Sequence, residues 1–249
     1  MIRTVTAATL SLGLALPAAA FDIDAMTDAE RAAFRAEIRA YLLDNPEVIF
    51  EAVDVFEARK AEAEATDDLA LVAAYSDEIF DDGHSWVGGN PDGDVTMVEF
   101  VDYRCGYCRR AYNDVEALIN GDGNIRLVVK EFPILGENSV SSSRFAIASR
   151  LVGGDDAYKA AHDALIAFSG EMTEPAVRRL SDSLGFDTEA VIETMSSDAV
   201  TDVIMANRDL AQKMRINGTP TFIVGDQMLR GYVPLPGMKQ LIDQIRADG

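Results

Sequence analysis

The chain has 249 residues, 48% of them apolar and 26% charged, a balance that excludes disorder throughout and fits one large domain or a medium domain with an appendage. Its 42 acidic side chains outnumber 22 basic ones for a formal net charge of −20, which sets the chain against phosphate backbones and anionic bilayers, so no nucleic-acid partner is expected. Two cysteines are too few for a disulfide-dense scaffold or a four-thiolate zinc site.

The first predicted element is an address. Met1-Ile2-Arg3 is a positive start, an uncharged and mostly apolar run follows from Thr4 to Leu16, and Pro17-Ala18-Ala19-Ala20 supplies the small residues of a cleavage site. Residues 1–20 therefore read as a signal peptide, because the run is too short to span a bilayer and Asp22 and Asp24 follow at once. Export places the cysteines in an oxidising compartment, with the periplasm as the expected one.

Residues 21–75 are expected to form an N-terminal helical segment. Thr27 and Glu30 have the spacing of a capping box, and Phe34, Ile38, Tyr41 and Leu42 recur at helical spacing. Asn45-Pro46 ends this helix and opens a second, which carries Ile49, Val53 and Phe56 on one stripe to about residue 65. Both stripes must be covered, either by the rest of the chain or by other copies of it.

From about residue 76 the pattern changes to glycines and turn dipeptides between short strand-like pieces. Residues 95–101 are β-branched and mostly apolar, as in a strand buried on both faces. A helix over 105–119 and a strand over 125–129 complete a parallel βαβ unit. Residues 138–214 read as helical, with stops at Gly153-Gly154, Gly170 and Gly185. Residues 221–224 and 228–230 form a hairpin around Asp226-Gln227, and a helix over 235–245 closes the chain.

The chemistry centres on Cys105-Gly106-Tyr107-Cys108, where the first central strand hands over to a helix. The positive end of the helix dipole favours a thiolate there, and Arg104, Arg109 and Arg110 add nearby charge. Cys105 is then the attacking thiolate, and Cys108, one turn further in, resolves the mixed disulfide. The competing readings are an inert disulfide, disfavoured by the short loop, and half of a zinc site, for which only His84 and His162 remain at no ligand spacing. Glu99, six residues before Cys105, is either buried with a raised pKa or at an edge; if buried it can exchange a proton with Cys108. Lys130 is a candidate partner for Glu99. Both histidines read as surface or capping residues, and Trp86, Phe100, Phe132 and Phe222 as core. Pro220 opens a strand, where a trans turn and a cis bond are both admissible; the upstream CxxC favours cis.

Phe100-Val-Asp-Tyr-Arg-Cys-Gly-Tyr-Cys108, Lys130-Glu-Phe-Pro-Ile-Leu135 and Gly218-Thr-Pro-Thr-Phe222 resemble the thioredoxin-fold disulfide oxidoreductases of the DsbA family, over roughly residues 77–247. Within that family the chain is most similar to the suppressor-of-copper-sensitivity protein C and Com1-like group, whose N-terminal helical segment Tyr41-Leu-Leu-Asp-Asn-Pro-Glu-Val-Ile49 resembles. The resemblance implies an α/β thioredoxin fold over 76–249, with a helical insertion at about 138–214 and a helical segment before it. It implies Cys105 as nucleophile, Cys108 as resolving cysteine, Pro220 as a cis-proline and Glu99 as the buried acid. One departure bears on activity. Gly106-Tyr107 and Thr219 stand where prototypical DsbA has Pro-His and Val, and this combination is that of the DsbC-type isomerases. Without a histidine beside the thiolate, the disulfide is expected to be less oxidising.

The expected function is a periplasmic thiol–disulfide oxidoreductase, leaning to isomerase or reductase, that acts on cysteines of exported proteins without a cofactor. A membrane redox partner resets it, and residues 27–65 are expected to mediate self-association. The rival reading is a copper(I)-binding tolerance protein that uses the reduced CxxC.

Overall fold

The computed structural model describes residues 25–248; the expected leader at 1–20 lies outside the described residues. The chain divides into a unit ending at Arg59 and a second beginning at Lys60.

In the first unit Thr27 caps helix α1 (Asp28–Asp44), its hydroxyl accepting from the Glu30 amide at 3.3 Å while its own amide donates to Glu30 Oε2 at 2.9 Å. Asn45 closes α1 rather than capping the next helix by its side chain: its Nδ2 donates to the Tyr41 carbonyl at 2.9 Å. Helix α2 (Glu47–Ala74) runs past the residue 65 end predicted from its pattern. Nothing in α1 is buried, and Phe34, Ile38 and Tyr41 on the predicted stripe are all exposed, as are Ile49, Val53 and Phe56 in α2.

In the second unit the end of α2 belongs to the packed body, where Val72 joins a core with Ile79, Phe100 and Ile223 and Asp68 pairs with Arg230 at 2.5 Å. This unit therefore reaches further towards the N-terminus than the expected division near residue 75. A short helix α3 (Ser76–Phe80), not anticipated, leads to strand β1 (Trp86–Gly89). Strands β2 (Val95–Val101) and β3 (Ile125–Glu131) are joined by helix α4 (Gly106–Asp122). Helices α5 (Glu137–Ala167), α6 (Glu174–Leu184), α7 (Thr188–Met195) and α8 (Asp198–Lys213) then lead to β4 (Thr221–Val224), β5 (Gln227–Arg230) and α9 (Leu235–Asp248). The sheet order is β1-β3-β2-β4-β5, with β2 and β3 parallel and every other pair antiparallel.

The period of two along a strand decides what each sheet face buries. Met97, Val101, Leu127 and Val129 enter one core with α4 and α5 residues; Val98, Phe100, Val128 and Phe132 enter another with α8 residues. Trp86 and Phe222 are also core. In the helical insertion Gly154 takes φ 79° and kinks α5, and Gly185 ends α6 in the left-handed region. Gly170 ends no helix, since α5 stops at Ala167.

Candidate active site

Strand β2 delivers the chain to a turn, Asp102-Tyr103-Arg104, that the buried Asp102 carboxylate organises. Oδ1 accepts from the Arg104 amide at 2.8 Å, and Oδ2 from the amides of Ile134 and Leu135 at 2.8 and 3.0 Å, which ties the ends of β2 and β3 together. Cys105 is the N-cap of α4 and Cys108 lies one turn in, so both sulfurs sit at the helix's positive end. Both are free thiols; Cys105 is 8% exposed and Cys108 fully buried.

The two thiols are electrostatically unlike. Cys105 is held down to about 5, foremost by a hydrogen bond from Cys108, then by Thr219 and the amides of Cys108 and Tyr107; burial opposes this. Cys108 is pushed up, first by that same bond, then by burial and the Glu99 charge. Hydrogen bonds, rather than the arginines, are the main support of the Cys105 thiolate. The arginines have other work: Arg104 donates to the Gly170 carbonyl at 2.8 Å, Arg109 to those of Tyr103 and Phe168 at 2.8 and 2.5 Å, and Arg110 lies over the Tyr232 ring.

The peptide bond between Thr219 and Pro220 is cis, and Cys105 Sγ lies 3.0 Å from the Thr219 carbonyl oxygen, which brings together residues 114 apart in sequence. Glu99 is 4% exposed, on the β2 face that meets α4, and rises to about 8 through burial and the nearby Glu131 and Cys105 charges. The five expected site residues thus converge at one end of the sheet.

Lys130 does not join them. In the parallel register Glu99 lies beside Val129 and Phe100 beside Lys130, so the lysine points through the opposite face. Its Nζ pairs with Asp82 Oδ2 at 2.5 Å, and Asp82 also accepts from the Ser85 hydroxyl at 2.6 Å. His84 Nε2 lies 3.0 Å from the same carboxylate. His162, expected at the surface, is buried, with Nδ1 3.0 Å from the Tyr103 hydroxyl and its ring among Tyr103, Tyr112 and Tyr158; burial lowers it to about 4. The α5 face carrying Tyr158 and His162, four residues apart, is the one that packs on the sheet. Sequence reading also passed over Glu131, whose Oε1 accepts from Tyr103 and Tyr158 at 2.7 Å each. Its signal was the parallel strand pair itself, which sets every second residue of β3 on the Glu99 face. Among the described residues no group of three or more histidine, cysteine, aspartate or glutamate side chains could hold a metal ion.

The DSBA-like thioredoxin domain matches residues 96–243. The chain belongs to that family. The copper resistance protein ScsC N-terminal domain matches residues 30–63. A thioredoxin-like oxidoreductase from Silicibacter pomeroyi DSS-3 is 43% identical at a TM-score of 0.64, with 69% of this chain and 97% of that one covered. A Proteus mirabilis ScsC linker-deletion mutant superposes on 92% of this DSBA-like chain and 100% of its own, at a TM-score of 0.68 and 23% identity, and so shares its fold. The Na(+)/H(+) antiporter NhaA 1 of Salinispora arenicola is 28% identical over 145 residues, 58% of this chain but 22% of the antiporter, so the chain spans about a fifth of that curated relative's length. The fold is accordingly the thioredoxin-like DsbA fold, with helices α5–α8 between β3 and β4 and a helical segment in front.

Proposed function

We propose that the chain is a thiol–disulfide oxidoreductase acting on cysteines of exported proteins, with Cys105 as nucleophile and Cys108 as resolving thiol. The observation that carries this reading is the asymmetry of the pair: a thiol held near 5 at the helix start, hydrogen-bonded to a fully buried one held high. The Cys105 thiolate attacks one sulfur of a substrate disulfide, forming a mixed disulfide and expelling the other substrate sulfur as thiolate. Cys108 loses its proton to the Glu99 carboxylate and attacks Cys105 Sγ; the Cys105–Cys108 disulfide forms and the second substrate sulfur leaves. The substrate gains two electrons and the enzyme loses them, and the reverse sequence oxidises a dithiol. Release before Cys108 attacks, with the expelled thiolate re-forming a different bond, is isomerisation.

Gly106-Tyr107 and Thr219 support an isomerase or reductase leaning, and the leader-like residues 1–20 support a periplasmic location with a membrane redox partner. The exposed apolar stripes of α1 and α2 support a homo-oligomer formed through residues 27–65. The match to a copper-resistance domain favours the copper(I) reading by name only, since residues 30–63 contain no cysteine or histidine and add no soft donor to the thiol pair. The test is to compare refolding of scrambled ribonuclease with oxidation of its reduced form by the purified protein. Faster unscrambling than oxidation is expected; neither activity would end the reading.

A further inference from the structure

Glu131 is a buried acid without a task in the scheme above. It is 2% exposed; Oε1 takes both tyrosine hydroxyls, and Oε2 is buried with no hydrogen-bond partner among the described residues. In the ladder Glu131 lies beside Val101 and Glu99 beside Val129, so the two carboxyls are diagonal neighbours on one sheet face, two residues apart along adjacent strands. The network also reaches the redox turn directly: Tyr103, which donates to Glu131, precedes Cys105 by two residues, and its carbonyl accepts from Arg109 Nε at 2.8 Å.

Among the described residues no cation answers this pair. Around it stand Asp102 and Tyr103 after β2, Cys105, Cys108 and Glu116 on α4, and Ser143, Tyr158 and His162 on α5. His84 and Arg150 line a small cavity beside Glu131, yet Arg150 is engaged by Asp155 and the His84 carbonyl, and His84 by Asp82. From α8, Asn207 donates to the Glu131 backbone carbonyl rather than to its carboxyl. His162 is kept neutral by burial, and Lys130 leaves through the other face. Two carboxyls buried at this separation without a counter-ion cannot both be ionised cheaply, so they titrate as a pair.

Resting on the oxidoreductase reading, we propose that Glu131 is a positioning residue for proton transfer: it shares one proton with Glu99, and by holding that proton it leaves Glu99 ionised to take the one from Cys108. With the shared proton on Glu131, Glu99 is a carboxylate; Cys108–SH passes its proton to Glu99 and becomes the thiolate that closes the disulfide. With the shared proton on Glu99, the base is blocked. Burial raises Glu131 to about 7, only partly offset by the Tyr158 and Tyr103 hydroxyls, and Glu99 to about 8, so the shared proton rests mostly on Glu99 and the base is freed when that proton crosses to Glu131.

The test is a titration of carboxyl carbons by NMR in the reduced full-length chain labelled in glutamate, with the two signals assigned by their loss in Glu99→Gln and Glu131→Gln. Removing one charge should lower the other carboxyl's midpoint by about one pH unit, reciprocally. In Glu131→Gln the pH profile for resolving a Cys105 mixed disulfide should move to lower pH in the same sense. A purely structural Glu131 would change stability and leave both midpoints where they were. If Glu131→Gln does not fold, Tyr158→Phe strips one donor from the same oxygen and should raise the lower of the two midpoints. Unchanged midpoints, or shifted midpoints with an unmoved resolution profile, overturn the proposal. A wild-type chain that does not turn over insulin overturns the oxidoreductase reading, and the relay with it, whatever the titration shows, so the two failures are told apart.

Discussion

The two faces of the central sheet bury charge in opposite ways. On the α8 side, Lys130 is wholly buried but meets Asp82, with Ser85 and His84 around the same carboxylate. That is a satisfied ion pair, and Asp82 is held down to about 2: burial works against ionisation, but Lys130 and the Ser85 hydrogen bonds outweigh it. On the α4 and α5 side, Glu99 and Glu131 are diagonal neighbours on one sheet face with no cation paired to either among the described residues, and both are raised. An arrangement of the first kind can be retained for structure alone. One of the second kind, under a redox-competent pair of thiols, is costly to keep and points to chemistry.

The largest effect that would sharpen this contrast is at the thiols. Cys105→Ser should abolish insulin reduction, because the one remaining thiol, Cys108, is fully buried and held in its protonated form; residual turnover would break the assignment. On the ion-pair face, Asp82→Ala should cost about 3–5 kcal/mol in urea unfolding, since it leaves Lys130 buried and unpaired, while the Asp82→Ala, Lys130→Met double variant should recover most of that loss. An equal loss in both variants would show that the pair is not what holds that face.

The pH dependence of stability should have opposite signs on the two faces. Asp82 has a folded value below its ordinary 3.8, so its contribution is present above about 3.8 and is lost as pH falls through about 2. Glu99 has a folded value above its ordinary 4.5, so between 4.5 and about 8 the unfolded chain ionises while the folded one keeps its proton, and stability declines as pH rises. Glu99→Gln should therefore flatten unfolding free energy against pH in that window, by at most about 1.4 kcal/mol per pH unit for one proton. An unaltered slope would place the Glu99 charge in solvent. The smallest effect concerns the first unit. A chain beginning at Lys60 keeps Val72 and the Asp68–Arg230 pair and should remain folded, lose its oligomeric state in light scattering, and isomerise scrambled ribonuclease several-fold more slowly than the full-length chain. A monomeric full-length protein would remove the basis for that expectation.

Periodicity and punctuation made much of this molecule readable in advance. The capping box at Thr27, the β2–α4–β3 unit, the hairpin of β4 and β5, and the placement of Cys105 at a helix start all follow from local preferences that each residue expresses whatever its distant surroundings. The failures share one cause. Whether Lys130 meets Glu99 depends on strand register and face, and whether His162 is outside or beneath three tyrosines depends on which side of α5 meets the sheet. Length along α2 misled for the same reason, since Phe100 and Ile223 in the Val72 core and Arg230 on Asp68 are all more than twenty positions away and nothing local stops the helix at 65.

The β2–α4–β3 unit, the cysteine pair and its helix-terminal setting were legible from residue order alone, because they rest on backbone hydrogen bonding and on groups a few residues apart. Which charges share a face came from strand register and packing. A carboxylate's energy in a protein depends on how far it is withdrawn from water and on which charges share its poorly polarisable surrounding; for Glu99 burial comes first and the charge of Glu131 next, thirty-two positions away and on the neighbouring strand.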